Sequence, residues 1–116
     1  MQEAEVFVGI DVSKKQLDIA LRPSKKAFSA INDPRGIAQV VGRLRKLKPS
    51  CIAVEATGGL ERELVYALAE QELAVAVVNP RQVHNFAKST GQRAKTDAID
   101  AEVLAHFAEA VRPRKI

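Results

Sequence analysis

Four acidic side chains stand where solubility alone would not place them. Asp11 ends a short apolar segment, Glu55 ends another, and Asp97 and Asp100 lie three residues apart near the end of the chain. Carboxylates that share one place repel each other. Mg²⁺ or Mn²⁺ relieves this repulsion, because both ions prefer hard oxygen ligands. Two such ions, about 3.5–4 Å apart, clamp an in-line phosphoryl transfer, and we predict that chemistry for the four acids.

Each acid also has an ordinary explanation when it is taken alone. An aspartate after a strand often forms a turn, a glutamate can pair with a lysine, and acids in a first helical turn complement the helix dipole. The dipole does not explain why Asp97 and Asp100 fall on the apolar side of their predicted helix at about 100° per residue. On that side they join Leu104, Phe107, Ala108 and Val111. Taken together, the four acids favour a shared metal site.

The apolar pattern predicts the strands and helices that must position these acids. Alternation and short links indicate an antiparallel meander of three strands, and Asp33-Pro34 marks the start of the first helix. The predicted strands are 6–11, 17–22, 27–31, 51–55 and 73–78. The predicted helices are one from Pro34 to before Pro49, one carrying Leu60, Leu64, Val65 and Leu68, a short one near 82–86, and one over 97–111 capped by Thr96. Residues 88–95 are predicted to form a loop. We therefore expect an α/β fold with a mixed sheet and helices on both faces.

Composition limits the classes of protein to consider. The 116 residues fit one domain, and the lone Cys51 excludes a disulfide-stapled scaffold. No apolar stretch approaches the roughly 18 residues of a membrane span, and no signal peptide is evident, so we expect a cytoplasmic protein. A net charge of +4 permits a nucleic-acid partner, whereas 4% aromatic residues argue against a base-stacking surface.

Three segments carry a resemblance to a known family. They are Val8-Gly9-Ile10-Asp11-Val12-Ser13-Lys14, Val54-Glu55-Ala56-Thr57-Gly58-Gly59, and Ala94-Lys95-Thr96-Asp97-Ala98-Ile99-Asp100-Ala101. Together they resemble the N-terminal domain of the DEDD transposases of the insertion-sequence one-hundred-and-ten family, which includes the Piv-type DNA invertases. The resemblance spans nearly the whole chain. The first motif alone is weak, and the three in order are strong.

The resemblance implies a RuvC-like, RNase H-like fold. It implies that Asp11, Glu55, Asp97 and Asp100 are the DEDD set, which binds Mg²⁺ (or Mn²⁺), with two ions expected, to cut and rejoin DNA. It also implies a guide RNA encoded by the element, a homo-oligomeric full-length protein, and a C-terminal domain with a nucleophilic serine. We expect 1–111 to be the catalytic domain and 112–116 the start of a linker. None of the serines present is expected to act as that nucleophile, and the chain is not expected to recombine DNA alone.

Basic residues lie close to the acids in the sequence. Those expected to hold nucleic-acid phosphates are Lys14, Lys15, Arg81, Lys88, Arg93 and Lys95. A plain solvated loop explains each of them about as well. Lys46 and Lys48, near a helix C-terminus, are adequately explained by the helix dipole. Thr57-Gly58-Gly59 can bind phosphate, but a strand-to-helix turn is the favoured interpretation.

Two other functions stay open at this point. Gly9-Ile10-Asp11 before a hairpin also occurs in actin-like sugar kinases and ATPases, although Val12-Ser13 replaces the glycine that lets phosphate approach the backbone. The second alternative is a non-catalytic module that binds nucleic acid or another subunit. Stabilisation by ATP would favour the kinase, and an unchanged metal response after Asn substitution of the acids would favour the module.

Overall fold

A computed structural model describes residues 4–91 and 100–116 of the chain. The order of elements in these residues is β1 (Phe7–Val12), β2 (Gln16–Arg22), β3 (Ala27–Ile31), α1 (Pro34–Leu47), β4 (Cys51–Glu55), α2 (Arg62–Glu70), β5 (Val75–Val78), α3 (Pro80–Ser89) and α4 (Ala101–Val111). The predicted order of strands and helices is confirmed. No helix in the described ranges is long and apolar enough to cross a membrane.

The five strands form one mixed sheet in the order β3-β2-β1-β4-β5. The first three strands are an antiparallel meander, whereas β4 runs parallel to β1 and β5 runs parallel to β4. The sequence prediction of an antiparallel start joined to parallel βα units is therefore confirmed. Because β1, β4 and β5 are parallel, their carboxyl ends meet at the same edge of the sheet.

Helices cover both faces of the sheet, as predicted. On one face, α1 and α2 pack their apolar sides against alternate residues of the strands, with Val8, Ile10 and Ile52 among the fully buried members. On the other face, Leu104, Phe107 and Ala108 of α4 pack with residues such as Phe7 and Ala53. The side chains of a strand alternate between faces, so each strand contributes to both cores. This alternation decides which face carries each acid.

The start of α1 follows the sequence prediction. The Asp33 carboxylate accepts a hydrogen bond of 2.7 Å from the Gly36 amide, and Pro34 is the first helical residue. Ile37, Val40 and Leu44 lie at helical spacing and are buried against the sheet. Lys48 adopts the left-handed conformation, with φ of 49°, and ends the helix directly before Pro49. A cap, an apolar stripe and a proline stop thus fix this element locally.

The start of the last helix was predicted wrongly. Asp100 is the N-cap of α4, with extended backbone angles, so the helix begins at Ala101 and not at Asp97. Thr96 and Asp97 lie outside the described residues. An aspartate side chain that bonds to the backbone of the following turn favours the start of a helix at that point. The i, i+3 spacing of Asp97 and Asp100 in the sequence does not reveal this capping role. Val111, predicted on the buried stripe, is 48% exposed in the last turn.

Smaller boundary predictions also differ from the structure. The first strand is Phe7–Val12 and not 6–11, and the second begins at Gln16 and not at residue 17. Leu60 precedes α2 and is 44% exposed, because the turn before α2 runs until Arg62. Strand β5 begins at Val75 and not at residue 73. Helix α3 is longer than predicted and includes Lys88, which had been assigned to the following loop.

The segment after α4 returns to the sheet. The guanidinium of Arg112 donates two hydrogen bonds of 3.0 Å to the Glu5 carboxylate, before β1. The Ile116 amide donates to the Val75 carbonyl of β5 at 2.9 Å. Residues 112–116, expected to begin a linker, thus run along the body of the domain.

Candidate active site

The sheet brings Asp11 and Glu55 side by side. Gly9 pairs with Ala53 and Ile10 with Val54 in the parallel register of β1 and β4, so Asp11 and Glu55 follow at the next position on each strand. By alternation they share the face of Gly9 and Ala53, which is the face that α4 covers. Both acids are partly buried. Two acids that are 44 residues apart in the chain thus meet at one edge of the sheet.

Gly9 allows the start of α4 to lie directly on the sheet. A Cβ atom built on Gly9 would lie 2.2 Å from both the Ala101 carbonyl oxygen and the Ala105 amide nitrogen. Small residues complete this contact, because Ala20, Ala101 and Ala105 form their own buried cluster. The close approach fixes the first turn of α4 over β1, two residues before Asp11. Small residues on this face thus leave room for the helix next to the acids.

Asp100 joins this edge through the cap of α4. Its Oδ1 atom accepts a hydrogen bond of 2.9 Å from the Val103 amide, which holds the carboxylate at the helix N-terminus. The negative charge of Asp100 is one cause of the raised pKa of Asp11, so the two carboxylates are electrostatic neighbours. The structure therefore places Asp11 beside Glu55 and within electrostatic reach of Asp100, and Asp97 lies outside the residues described.

Sequence reasoning missed a further acid at this edge. Asp18 on β2 is the direct antiparallel partner of Asp11. Its Oδ1 accepts hydrogen bonds from Gln16 Nε2 at 2.8 Å and from Ser29 Oγ at 2.7 Å. The signal was present in the sequence, since a tight hairpin centred between Lys14 and Lys15 pairs position 11 with position 18.

The electrostatics of the edge disfavour two ionised carboxylates. Burial raises the pKa of Asp11 above its ordinary value of 3.8, and the charges of Asp18 and Asp100 raise it further. Burial and the charge of Asp11 raise the pKa of Glu55 above 4.5, while His84 on α3 acts in the opposite direction. A bound cation would reverse both effects, because opposite charge favours the ionised carboxylate.

The two histidines have different surroundings. His84 lies close enough to Glu55 to influence its pKa. His106 packs its ring edge-on against Phe86, with ring centroids 4.9 Å apart. The Nδ1 atom of His106 is buried and has no hydrogen-bond partner in the described part of the chain.

A cavity adjoins the acidic edge. It has a volume of about 420 Å³ and lies between the start of α4 and the β2–β3 hairpin. Its polar lining consists of Asp11, Asp18, Lys25, Ser29, Asp100 and Glu102. Across 4–91 and 100–116, no three His, Cys, Asp or Glu side chains are placed as the ligands of one metal ion. The acids at this edge nevertheless suit a hard divalent cation, because carboxylate oxygens are the ligands that such cations prefer.

The basic residues predicted to hold phosphates do not all lie at this edge of the sheet. Lys14 and Lys15 are exposed in the turn that follows β1, and Arg81 is exposed in the first turn of α3, directly after the carboxyl end of β5. Lys88 is exposed in the last turn of α3, at the opposite end of that helix. Arg93 and Lys95 lie outside the described residues.

The turn after β4 is closed by hydrogen bonds to a carboxylate from the same segment. The Glu61 carboxylate accepts hydrogen bonds from the Thr57 amide at 3.0 Å, the Thr57 hydroxyl at 2.9 Å and the Gly59 amide at 3.1 Å. Burial acts to raise the pKa of Glu61, but these hydrogen bonds, with one from its own amide, outweigh it and lower the pKa below 4.5. The interpretation of this segment as a strand-to-helix turn agrees with this arrangement.

Sequence comparison finds one family and two curated relatives. The family model DEDD_Tnp_IS110, described as a transposase, matches residues 8–116. The "Pilin gene-inverting protein" of Moraxella lacunata and that of Moraxella bovis are each 26% identical over 116 residues, or 95% of this chain. The chain spans 36% of the length of each of these relatives.

Solved structures share the fold. Thermus thermophilus RuvC superposes with a TM-score of 0.64 over 95% of this chain and 98% of that chain, at 19% identity. T. thermophilus RuvC in complex with a Holliday junction substrate gives 0.62 over 97% of this chain and 100% of that chain, at 16% identity. A ROK hexokinase from the same organism gives 0.54 over 78% of this chain and 39% of that chain, at 12% identity. The expected RuvC-like, RNase H-like fold is confirmed, and the hexokinase likeness is one of fold.

Proposed function

The chain belongs to the DEDD transposase family of the IS110 type, and on that premise we propose that it supplies the metal-dependent active site of a DNA transposase or site-specific recombinase. The observation that carries the proposal is the meeting of Asp11 and Glu55 at the carboxyl ends of two parallel strands, with Asp100 held at the α4 N-cap on the same face. The Moraxella relatives invert a gene by name, and RuvC has been solved with a DNA junction; both support DNA as the substrate.

The residues proposed to hold the metal are Asp11, Glu55, Asp97 and Asp100, with Mg²⁺ or Mn²⁺ as the ion and two ions at full occupancy. When bound, the metal would stabilise charge on the attacking and leaving oxygens of a phosphodiester. The protein itself contributes the carboxylates, which the fold holds near one another in spite of their mutual repulsion. Asp100 keeps one oxygen on the Val103 amide, which leaves its second oxygen for a ligand.

Around these acids we assign a positioning role to basic side chains. Lys14, Lys15 and Arg81 emerge at the same edge of the sheet as Asp11, and their charges would hold phosphates beside the acids. Lys88, Arg93 and Lys95 are proposed to extend this contact along the DNA. A guide RNA and a homo-oligomeric full-length protein complete the proposal, as the family resemblance implies them. The location proposed from the sequence alone is cytoplasmic.

Thermal unfolding with and without metal tests the site. A cation present at ten times its Kd adds about 1.4 kcal/mol to stability, or roughly 6 °C in Tm for a chain of this length. We expect Mn²⁺ or Mg²⁺ to raise the Tm of the wild type by this order, and Asp11→Asn, Glu55→Gln and Asp100→Asn to remove most of the rise. Glu70→Gln, an exposed acid on α2, is the matched control and keeps it. A metal response shared equally by all four variants would refute the proposed site.

A further inference from the structure

The outward face of α1 carries a concentration of positive charge. The segment 34–48 contains Arg35, Arg43, Arg45, Lys46 and Lys48 and no acidic residue. The whole chain has a net charge of +4, so this one segment accounts for all of the excess and the remainder is slightly acidic. All five side chains are exposed. In 4–91 and 100–116, none of them forms an ion pair.

Three positions of this set form a row along the helix. Arg35, Arg43 and Lys46 lie at i, i+8 and i+11, which places them within about 80° of one another around the helix axis. Arg35 and Lys46 lie opposite the buried stripe of Ile37 and Leu44, and Arg43 lies beside it. The row extends about 16 Å at 1.5 Å per residue. One strand of duplex DNA presents a phosphate every 3.4 Å along its axis, so a rigid row of this length faces several phosphates.

The helix dipole explains only part of this row. Arg45, Lys46 and Lys48 lie in or after the last turn, where cations are favourable. Arg35 lies in the first turn, where a cation is unfavourable, and the only carboxylate at this end is that of the N-cap Asp33, which already accepts a hydrogen bond from the Gly36 amide. Arg43 and Lys46 are like charges at i, i+3, which also lowers helix stability. A charge arrangement that costs stability in the free protein is typical of a surface that meets an anionic partner.

Arg43 is held in place before any partner binds. Its guanidinium carbon lies 3.7 Å from the centre of the Phe28 ring on β3. This stacking leaves the edges of the guanidinium free to donate hydrogen bonds, while it limits the conformational entropy that binding would cost.

We infer that the row Arg35, Arg43 and Lys46 on α1 docks the phosphate backbone of duplex DNA, at a surface separate from the acidic edge. The two surfaces lie on opposite faces of the sheet, because α1 packs in the core formed with Val8 and Ile10, and α4 packs in the other. The choice of DNA rests on the proposed function, whereas the row itself does not. DNA held on α1 would be a different segment from the one at the acids, so α1 would orient the domain on a long or branched substrate.

The test measures how the affinity for a labelled 20-base-pair DNA duplex depends on salt, by fluorescence anisotropy in EDTA. Each phosphate contact contributes about 0.9 to the slope of log K against log salt. We expect the triple variant Arg35→Gln, Arg43→Gln, Lys46→Gln to lower the slope by about 2.7. The control removes the same charge elsewhere with Lys26→Gln, Arg114→Gln and Lys115→Gln, all of them exposed positions, and is expected to lower the slope by less than about 1.

Several results would overturn the inference. They are a wild type that does not bind DNA, a slope unchanged in the triple variant, or an equal loss in the control. Polyglutamate that competes as well as DNA would assign the row to an acidic protein, and tighter binding of an RNA duplex would assign it to RNA. If the triple variant does not fold, Arg35→Gln with Lys46→Gln replaces it, with an expected loss of about 1.8. Asp11→Asn separates this inference from the proposed function, since it is expected to remove the metal response and to keep the salt slope.

Discussion

Replacement of Gly9 by alanine tests the contact that fixes α4 over the sheet. The added Cβ would lie 2.2 Å from two backbone atoms of α4 and 2.7 Å from the Leu104 Cβ. Carbon atoms in contact ordinarily lie about 3.5–4.0 Å apart, so the first turn of α4 must move by more than about 1 Å. Backbone atoms cannot rotate away as a flexible side chain can, and the helix must move as a unit.

The expected loss of stability combines two opposing effects. Overpacking of a core position costs about 1–3 kcal/mol, and a clash with two backbone atoms of α4 places this site at the upper end. Alanine in a strand is favoured over glycine by about 0.5–1 kcal/mol. The net expectation is a loss of about 2 kcal/mol, or about 8 °C in Tm for a chain of this length.

The same variant is expected to weaken the metal site. Because Asp100 caps α4, a shift of its first turn carries the carboxylate away from Asp11, and a misplacement of about 1 Å is enough to degrade a preorganised site. We expect the rise in Tm caused by Mn²⁺ to fall to less than half. Differential scanning fluorimetry with and without Mn²⁺ measures both effects in one experiment.

Gly42 provides the matched control. It lies within α1, and a Cβ built there meets no atom within 4 Å. Gly42→Ala is therefore expected to raise stability by up to about 1 kcal/mol, the usual helix preference for alanine, and to leave the metal response unchanged. If Gly9→Ala matches Gly42→Ala in stability and metal response, the account of the α4 contact is refuted.

Three further predictions concern single carboxylates. Asp11→Asn in EDTA is expected to be more stable than the wild type at pH 7–8 and to lose this advantage towards pH 4. The reason is that the folded-state pKa of Asp11 is raised above 3.8, so wild-type stability falls as pH rises through that window. Urea unfolding across pH 4–8 that shows no such trend would contradict this prediction. Glu61→Gln is expected to lower the free energy of unfolding by about 1 kcal/mol at pH 7 and by progressively less below pH 4.5. The folded-state pKa of Glu61 is lowered, so the stability that the ionised carboxylate contributes is lost as pH falls. A difference between variant and wild type that does not change with pH in the same assay would rule this out. Asp33→Ala removes the cap on the Gly36 amide and is expected to cost about 1 kcal/mol, whereas Asp33→Asn costs little; equal Tm values for these two variants would argue against a capping role.

Most of the fold could be predicted from the sequence because its signals are local. The strict alternation of 17–22 and the proline after Asp33 each specify an element without reference to the rest of the chain. The mixed sheet followed from two signals: short links, which favour antiparallel neighbours among the first three strands, and the strand–helix units after them. The errors occurred at boundaries, such as Leu60 before α2 and Val111 in α4, where exposure depends on which surface a neighbouring element happens to cover.

The candidate site was predictable to a lesser extent. Asp11 and Glu55 could be found because each is an acid at, or one residue before, the end of an apolar strand. The role of Asp100 as a cap was not found, because a carboxylate that faces the sheet and one that caps a helix have the same spacing in the sequence. Asp18 was overlooked because it contributes through the strand register, and register depends on where the hairpin turns.

The position of α4 has a consequence for the order in which the protein matures. This helix covers β1, β2 and β4, yet it is made after all of them. A nascent chain on the ribosome can pair β1 with β4 and so join Asp11 to Glu55, but it cannot add Asp100 until nearly the last residue described has emerged. Until then the face under α4 stays apolar and open. The acidic edge is therefore completed only when α4 docks on this face, after every strand of the sheet has been made.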